Sequence, residues 1–368
     1  MITIDVRMLH ASGVGTYLRN LVPLIVSAHS DTQFHLLGRA GEISNYSWAH
    51  RENVSLIDCQ APIYSLAEQL ELIRAIPKST VLFWAPHYNI PLLYRGKLLV
   101  TVHDVFHLAM PQYVGGLHRQ LYAKIMFAIL QAKADAILTN SEFTKRELLR
   151  LTGTQDQKVY TAYLGVDASW FHIRKGSRPH STPFLLYVGN VKPHKNLVTL
   201  IQAFELIADE IPHDLLIVGK QEGFITGDDV VAAKAGSLGS RVRFTGYVDH
   251  CLLQQYFAHA DALVFPSLYE GFGLPPLEAM ACGCAVILSD VASLPEVFDD
   301  AALRCNPHSS EDIADKIQQL LHDIHLRKAL RQRGLEHAKQ FSWDRCAQET
   351  LAVIERILET SSTRRVKS

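Results

Sequence analysis

Short apolar runs of four or five residues alternate with longer amphipathic stretches along the whole chain, and this alternation restricts the fold more than any other feature. A run too short for a helix, and apolar at successive positions, reads as a strand covered on both faces, the condition of a parallel sheet. Such runs fall near Ile2–Val6, Phe34–Leu37, Val81–Trp84, Leu98–Val102, Ala136–Thr139 and Lys158–Ala162 in the first half. In the second half they fall near Phe184–Val188, Leu215–Val218, Val242–Thr245, Ala262–Phe265 and Ala285–Leu288. The amphipathic stretches between them supply the helices of βαβ units, so the pattern predicts an α/β protein with two Rossmann-like, doubly wound parallel-sheet domains. A chain of 368 residues is long for one core, which favours the same division.

Between the halves, Asp167–Pro183 is polar and broken by Gly176 and Pro179, with Arg174 and Lys175 beside them, and reads as an interdomain linker. Ser342 is a candidate cap for a helix from Trp343 to about Leu358, ahead of a frayed Thr360–Ser368 tail. The expected division is a first domain over residues 1–167, a second over 168–342, and a closing helix and tail over 343–368. Open α/β domains bind ligands beyond the carboxyl ends of their strands, and two of them place the ligand in a cleft between those ends. Residues that directly follow strands are therefore the candidates for chemistry.

Charge narrows the partners. Thirty-six basic residues stand against 37 acidic ones, so net charge points to no nucleic-acid partner, and any cationic site must be local. The start, Met1–Arg7, lacks a basic region leading a long apolar run, and no segment approaches the roughly 20 apolar residues of a membrane span. A soluble, cytoplasmic protein is expected, attached at most to a membrane surface. The six cysteines are scattered apart from Cys282 and Cys284, and read as core thiols of a reducing compartment rather than zinc ligands or disulfides.

The densest motif is Glu270-Gly271-Phe272-Gly273-Leu274-Pro275-Pro276-Leu277-Glu278. Two carboxylates eight residues apart bracket a glycine-containing loop, and the prolines open a helix. Pro276 suits the first helical position, which would put Glu278 in the first turn, and Gly283 is a natural stop. Backbone N–H groups of the loop and helix start can hold a diphosphate, and the carboxylates can accept from sugar or ribose hydroxyls. An acidic first turn that only complements its own helix dipole explains the segment equally well when it is taken alone.

Three further segments follow strands. Gly189-Asn190-Val191-Lys192-Pro193-His194-Lys195-Asn196 leads into a helix, where Lys195 can neutralise phosphate oxygens or can be a solvated loop lysine beside an Asn196 cap. Ser12-Gly13-Val14-Gly15-Thr16 precedes a helix over Tyr17–Val26; its glycines permit close approach to a ligand, though Leu18 in the third glycine position excludes a dinucleotide fingerprint, and a tight turn explains them nearly as well. His103-Asp104 ends the Leu99–Val102 run, where His103 can donate to a sugar hydroxyl with Asp104 orienting it, or Asp104 can cap the next segment while His103 fills a hydrogen-bonding gap. His107 reads as a loop histidine and Trp84 as core. Arg119, Lys124 and Lys133 flank Leu121, Tyr122, Ile125, Met126 and Ile129 on a helix that can lie on an anionic bilayer, or, more commonly, is a buried helix with a basic outer edge.

Taken in order, these residues make the chain resemble the retaining family 4 glycosyltransferases of the GT-B fold along essentially its whole length. Glu270 to Glu278 matches their Glu-x7-Glu signature, and the Gly189 loop with Lys195-Asn196, the early glycine loop, His103-Asp104 and the Phe341-Ser342-Trp343 helix start match as well. The Gly-Asn-Val-Lys-Pro-His-Lys-Asn variant is similar to that of bacterial mannosyltransferases of polysaccharide synthesis. The resemblance implies two Rossmann-like domains facing across a cleft, with the last helix crossing back to the first, acceptor-binding domain. It implies a nucleotide-sugar donor, GDP-mannose in the style of these relatives, and a glycan or lipid-linked glycan acceptor, with possible contact at the cytoplasmic membrane face.

Carried over by position, Glu278 would hold the donor ribose and Glu270 the donor sugar. Lys195 would balance the diphosphate, Gly15 would close over it, and His103 would lie beside the transferring sugar. Gly189, Asn190, Gly271, Phe272, Gly273 and Leu274 complete the expected donor site. Many relatives carry an arginine where this chain has Asn190, so Lys192 or His194 is left to supply that donor. No cofactor and no metal are expected, since the fold works without one and the chain has no Asp-x-Asp. An epimerase or sugar-phosphate synthase of the same fold, and a catalytically silent glycan-binding protein, are the alternatives.

Overall fold

The computed structural model describes residues 1–173, 176–219 and 228–365. Arg174 and Lys175 of the expected linker and residues 366–368 of the expected tail lie outside the described residues. The chain divides into two compact units: residues 1–111, 116–165 and 343–368 form the first, and residues 112–115 and 166–342 the second.

The first unit is built on a seven-stranded, wholly parallel sheet in the order β3-β2-β1-β4-β5-β6-β7. Its strands are β1 (Ile2–Asp5), β2 (Phe34–Gly38), β3 (Val54–Asp58), β4 (Leu82–Ala85), β5 (Leu98–Val102), β6 (Ala136–Thr139) and β7 (Val159–Thr161). The second unit holds a six-stranded parallel sheet in the order β10-β9-β8-β11-β12-β13. These strands are β8 (Phe184–Val188), β9 (Asp214–Val218), β10 (Val242–Gly246), β11 (Ala262–Phe265), β12 (Val286–Ser289) and β13 (Leu303–Cys305). Central strands such as β4, β5, β8, β9 and β11 are buried at every position, as continuous apolar runs require. Both sheets reverse their winding once, at the β1/β4 pair and at the β8/β11 pair, and these switch points are where an open α/β sheet leaves a crevice.

β3 and β13 lie at sheet edges and were not among the expected strands. Ser55 and Asp58 of β3 are exposed, so that strand lacks the apolar run that marks a strand covered on both faces. The helix expected over Tyr17–Val26 begins four residues earlier, at Gly13, and runs to Ala28. The last helix spans Trp343–Arg365 rather than ending near Leu358, because no glycine or proline follows to stop it. It packs in the first unit: Trp343 meets the Tyr17 ring at 6.3 Å, the Lys97 ammonium donates to the Ile357 carbonyl, and Ile354 and Ile357 are buried.

The expected linker is not loose at either end. Trp170 is buried against His250 and Phe257, and Asp214 accepts from His180 and Thr182 at 2.6 and 2.7 Å, so both ends lace onto the second unit. Of the cysteines, Cys59, Cys284, Cys305 and Cys346 are core residues and Cys282 is partly buried, whereas Cys251 is exposed. No helix among the described residues is long and apolar enough to cross a membrane.

Candidate active site

At the switch point of the second sheet, the loops after β8 and β11 lie side by side. The first leaves Val188 through Gly189 and Asn190 and closes in a short 3-10 turn, Pro193–Lys195. Asn196 follows in the left-handed region at φ 61°, and its side chain does not cap the next helix, Leu197–Ile207, as expected of it. Its amide instead donates to the carbonyls of Pro266 and Pro307 at 3.0 and 2.6 Å, while its oxygen accepts from Thr199. Asn196 thereby pins the β8 loop to the β11 loop. The Leu268 N–H adds a second tie, to the His194 carbonyl at 2.8 Å.

The result is a pairing across 75 residues of sequence: the Lys195 ammonium lies 2.5 Å from a Glu270 carboxylate oxygen. Both groups are mostly buried, with side-chain exposures of 19% and 12%. The ammonium has three donors, so the pair leaves it able to reach an anion without giving up Glu270. Phe265 lies beneath it, 5.7 Å away from ring centre to nitrogen, and Ser293 fixes the Glu270 carbonyl at 2.9 Å. Tyr187, fully buried at the end of β8, donates to the Asn190 carbonyl at 3.4 Å. Burial pushes its phenol well up, and the Glu270 charge adds to the effect, so Tyr187 remains a neutral prop under the loop. Its role was not visible in the sequence, where it is simply the aromatic member of an apolar run.

The helix after Glu270 runs Leu274–Ala281, with Gly273 at the cap position. Pro276 is therefore its third residue, not its first, and Glu278 falls in the second turn. Pro275 and Pro276 have no N–H, so this helix start offers an anion fewer donors than expected, with Leu274 the only one of its first three residues that carries an N–H. Gly273 sits at φ 104°, and a Cβ there would come within 2.9 Å of Leu294 and 3.0 Å of Phe298. Gly271 and Phe272 are buried, and the Phe272 ring packs edge-on to Phe341 at 5.8 Å. Gly283 ends the helix at φ 72°, where its N–H reaches the Met280 carbonyl and that of Cys284 the Ala279 carbonyl, a Schellman closure. The Glu278 carboxylate makes no hydrogen bond or ion pair among the described residues, and burial pushes it up to about 8. Lys192 is exposed and His194 partly buried.

In the first unit, His103 follows β5. Its Nε2 donates to the Pro86 carbonyl at 2.9 Å, and the Tyr17 ring stands edge-on at 4.9 Å. Burial pushes the imidazole down to about 4, outweighing the Pro86 contact and the Asp104 charge, so the ring is neutral with its proton on Nε2. The nitrogen left over, Nδ1, is an acceptor; donation to a ligand hydroxyl was the expectation. Asp104 does not orient the ring, because its carboxylate accepts the Phe106 N–H at 2.9 Å and caps the next segment. Gly15 lies within the first turn of the Gly13–Ala28 helix, not in a loop before it. A Cβ there would fall 2.6 Å from the Leu9 carbonyl, so local packing within the first unit already requires glycine. Trp84 is core, with its indole N–H donating to Thr101 at 3.0 Å.

One cluster escaped sequence reasoning altogether. At the switch point of the first sheet, Arg7 grips Asp5 through Nε and Nη2 at 2.8 and 2.6 Å, and its Nη1 lies 2.8 Å from Glu68. Glu68 also accepts from Asn89 at 2.7 Å and from the Tyr64 N–H at 2.7 Å, and Tyr122 donates to Asn89. Burial alone would raise the Asp5 carboxyl, but Arg7 holds it well below the usual range. Tyr64 is kept at φ 69°, a conformation that non-glycine residues rarely adopt. The pairing of Arg7 with Glu68 spans a helix and a strand end, and no local pattern announces it. Among the described residues, no group of three or more His, Cys, Asp or Glu side chains could hold a metal ion.

Comparisons with known proteins agree on the kind of chain this is. Residues 11–170 match the profile of Glycosyltransferase Family 4, and residues 168–337 that of Glycosyl transferases group 1. The O-antigen chain mannosyltransferase B of Escherichia coli is 33% identical over 288 residues, covering 73% of each chain. The serotype-specific mannosyltransferase WbdA of the same organism is 30% identical over 292 residues, covering 75% of this chain but 35% of that longer protein. Among solved structures, the sucrose-phosphate synthase of Thermosynechococcus elongatus superposes with a TM-score of 0.77 at 22% identity, over 98% of this chain and 99% of that one.

Proposed function

Because the chain belongs to the family 4 glycosyltransferases, and its two parallel-sheet units have the GT-B architecture, we propose that it transfers mannose from GDP-mannose to a growing, lipid-linked polysaccharide with retention of configuration. The observation that carries this reading is the Lys195–Glu270 pair at the β8/β11 switch point. It sets a cation able to bind a diphosphate against a carboxylate able to bind sugar hydroxyls. The Glu278 carboxylate, partly buried and without a partner among the described residues, fits a ribose whose two hydroxyls would donate to it. The choice of mannose and GDP leans on the similarity to the Escherichia coli O-antigen mannosyltransferases. His103 and Gly15 enter the reading through family resemblance alone.

In the proposed reaction, the bond from the sugar's anomeric carbon to the leaving phosphate oxygen breaks as the acceptor hydroxyl oxygen attacks from the same face. The leaving phosphate takes the acceptor's proton, so no carboxylate nucleophile is needed. Lys195 stabilises the charge that builds on the diphosphate, a preorganised electrostatic role that requires no metal. The neutral His103 would accept a sugar hydroxyl through Nδ1. The test is to incubate the protein with GDP-mannose and a mannose-terminated oligosaccharide in the presence of EDTA and to read the new linkage by NMR. An α-mannosidic product is expected. A β-linked product would refute the same-face route, and a transfer that proceeds only from UDP-sugars would move the donor to another nucleotide.

A further inference from the structure

Among the described residues, Tyr64 is the only non-glycine of the first unit at positive φ, 69°. Such strain persists only where the surroundings impose it, and it gathers at ligand-binding positions. Packing of the ring does not offset it, because Tyr64 is 50% exposed. The conformation is imposed through the backbone. Ser65 caps the Leu66–Ala75 helix by accepting the Glu68 N–H at 3.0 Å. In a capping box the third-position glutamate reaches back to the N–H of the cap residue itself. Here Glu68 reaches one residue further, to the Tyr64 N–H at 2.7 Å, and is fixed in turn by Arg7 and Asn89. A fully buried ionic cluster thus holds a half-exposed ring in place.

That ring belongs to a cup of tyrosines. It lies 6.2 Å from the Tyr88 ring, inclined by 32°, and meets the Tyr122 ring edge-on at 6.0 Å. Tyr88 is stacked on Phe127 at 5.0 Å and Tyr122 donates to Asn89, so both neighbours are locked while staying partly exposed. Tyr88 lies just past β4 and Asp104 just past β5, its paired neighbour. Both therefore stand at carboxyl ends of strands, where open α/β sheets take ligands. Burial raises the phenols of Tyr64 and Tyr88, and the Asp104 charge raises both further, which places that carboxylate beside the cup. Its Oδ1 accepts the Phe106 N–H, whereas Oδ2 makes no hydrogen bond among the described residues.

This lining selects a class of ligand. Aromatic faces take the apolar C–H face of a pyranose ring, phenol hydroxyls both donate and accept, and a carboxylate accepts from sugar hydroxyls. Apolar and aromatic walls with a few polar groups to fix orientation are the usual make-up of a small-molecule site. The Asp104 carboxylate would repel a phosphate or a sugar acid. Arg7, the cation that holds Glu68, is paired with two carboxylates and its side chain is 3% exposed, so it offers an anion nothing. What fits is an uncharged sugar.

We propose that Tyr64, Tyr88 and Asp104 form a subsite for an uncharged hexose ring, with Tyr64 as its specificity-determining residue. The inference rests on the reading of a glycan acceptor and narrows it to a neutral sugar held by stacking. Binding tests it without donor or turnover, so its failure and that of the proposed transfer are distinguishable. The whole chain is titrated by NMR with a mannose-terminated oligosaccharide and, separately, with GDP. Tyr64→Gly suits the positive φ and removes only the ring. It should weaken oligosaccharide binding by about tenfold and leave GDP affinity unchanged, whereas Tyr64→Phe, which keeps the ring, should stay within about threefold of the parent. Asp104→Asn can still accept the Phe106 N–H, and its lost charge should weaken the oligosaccharide by about tenfold as well. Methyl α-mannoside should compete with the oligosaccharide, and mannose 6-phosphate should not. Melting curves confirm that each variant is folded. The proposal is overturned if the parent does not bind the oligosaccharide or if Tyr64→Gly binds it as tightly as the parent. Equal competition by mannose 6-phosphate overturns it too, since the subsite would then take an anion.

Discussion

A single carboxyl makes the stability of the second unit depend on pH. Glu278 is held up near 8 by burial, with no partner to offset the cost of ionising it. An acid whose pKa is higher in the folded state than in the unfolded one binds its proton more tightly when folded. Its contribution is therefore complete below about 4.5 and is lost as pH rises through about 8. Glu278→Gln, which cannot ionise, should flatten the fall in melting temperature over that window and leave the variant more stable than the parent at pH 8. Parallel pH profiles for the two proteins would show that Glu278 is ordinarily solvated. If a ribose donates to the ionised form, nucleotide affinity in the parent should rise with pH over the same window. Lys195→Ala should weaken GDP binding by about 1.5–3 kcal/mol, the worth of a charge-assisted contact, read by calorimetry. Undiminished GDP affinity in that variant would move the phosphate contact elsewhere in the unit.

At the scale of elements, strand ends and helices are locked by groups that the strands themselves do not foretell. Arg7, just past β1, neutralises Asp5 at the strand end and Glu68 on the Leu66–Ala75 helix, and the Glu68 carboxylate in turn holds the Tyr64 backbone at positive φ. Removing one partner of a buried ionic group leaves the others uncompensated, which costs about 3–5 kcal/mol. Arg7→Met should lower the stability of the first unit by that order in urea unfolding, and a change below about 1 kcal/mol would mean that water already screens the cluster. The central strands were legible because burial on both faces demands unbroken apolar runs, as in Phe184–Val188 and Leu98–Val102. β3 and β13 were not, because an edge strand such as Val54–Asp58 can mix Ser55 and Asp58 into its pattern. Helix starts were misplaced for a related reason. Gly13 and Gly15 read as a loop, yet the chain coils through them because the Leu9 carbonyl must lie against Gly15.

At the scale of the whole molecule, chain order and spatial order part company at the C-terminus. The Trp343–Arg365 helix follows the second unit in sequence but packs in the first, against the Gly13–Ala28 helix and β6. A chain ending at Ser342 should therefore lose the first unit's thermal transition and keep the second's. Two unaltered transitions in calorimetry would show the helix to be dispensable. The sequence by itself determined the α/β class, the two parallel sheets, most of their strands and the family, because each rests on local patterns of burial and on motifs that are contiguous in the chain. It also marked Glu270, Glu278 and Lys195 one by one. Only the tertiary structure decided that Lys195 meets Glu270, that Asn196 ties two loops instead of capping a helix, and that Arg7, Glu68 and Asn89 form one buried cluster. The reason is physical. Periodicity reports which face of an element is buried, whereas the partner of a charge or an apolar stripe is set by sheet order, which brings together residues that the chain keeps far apart.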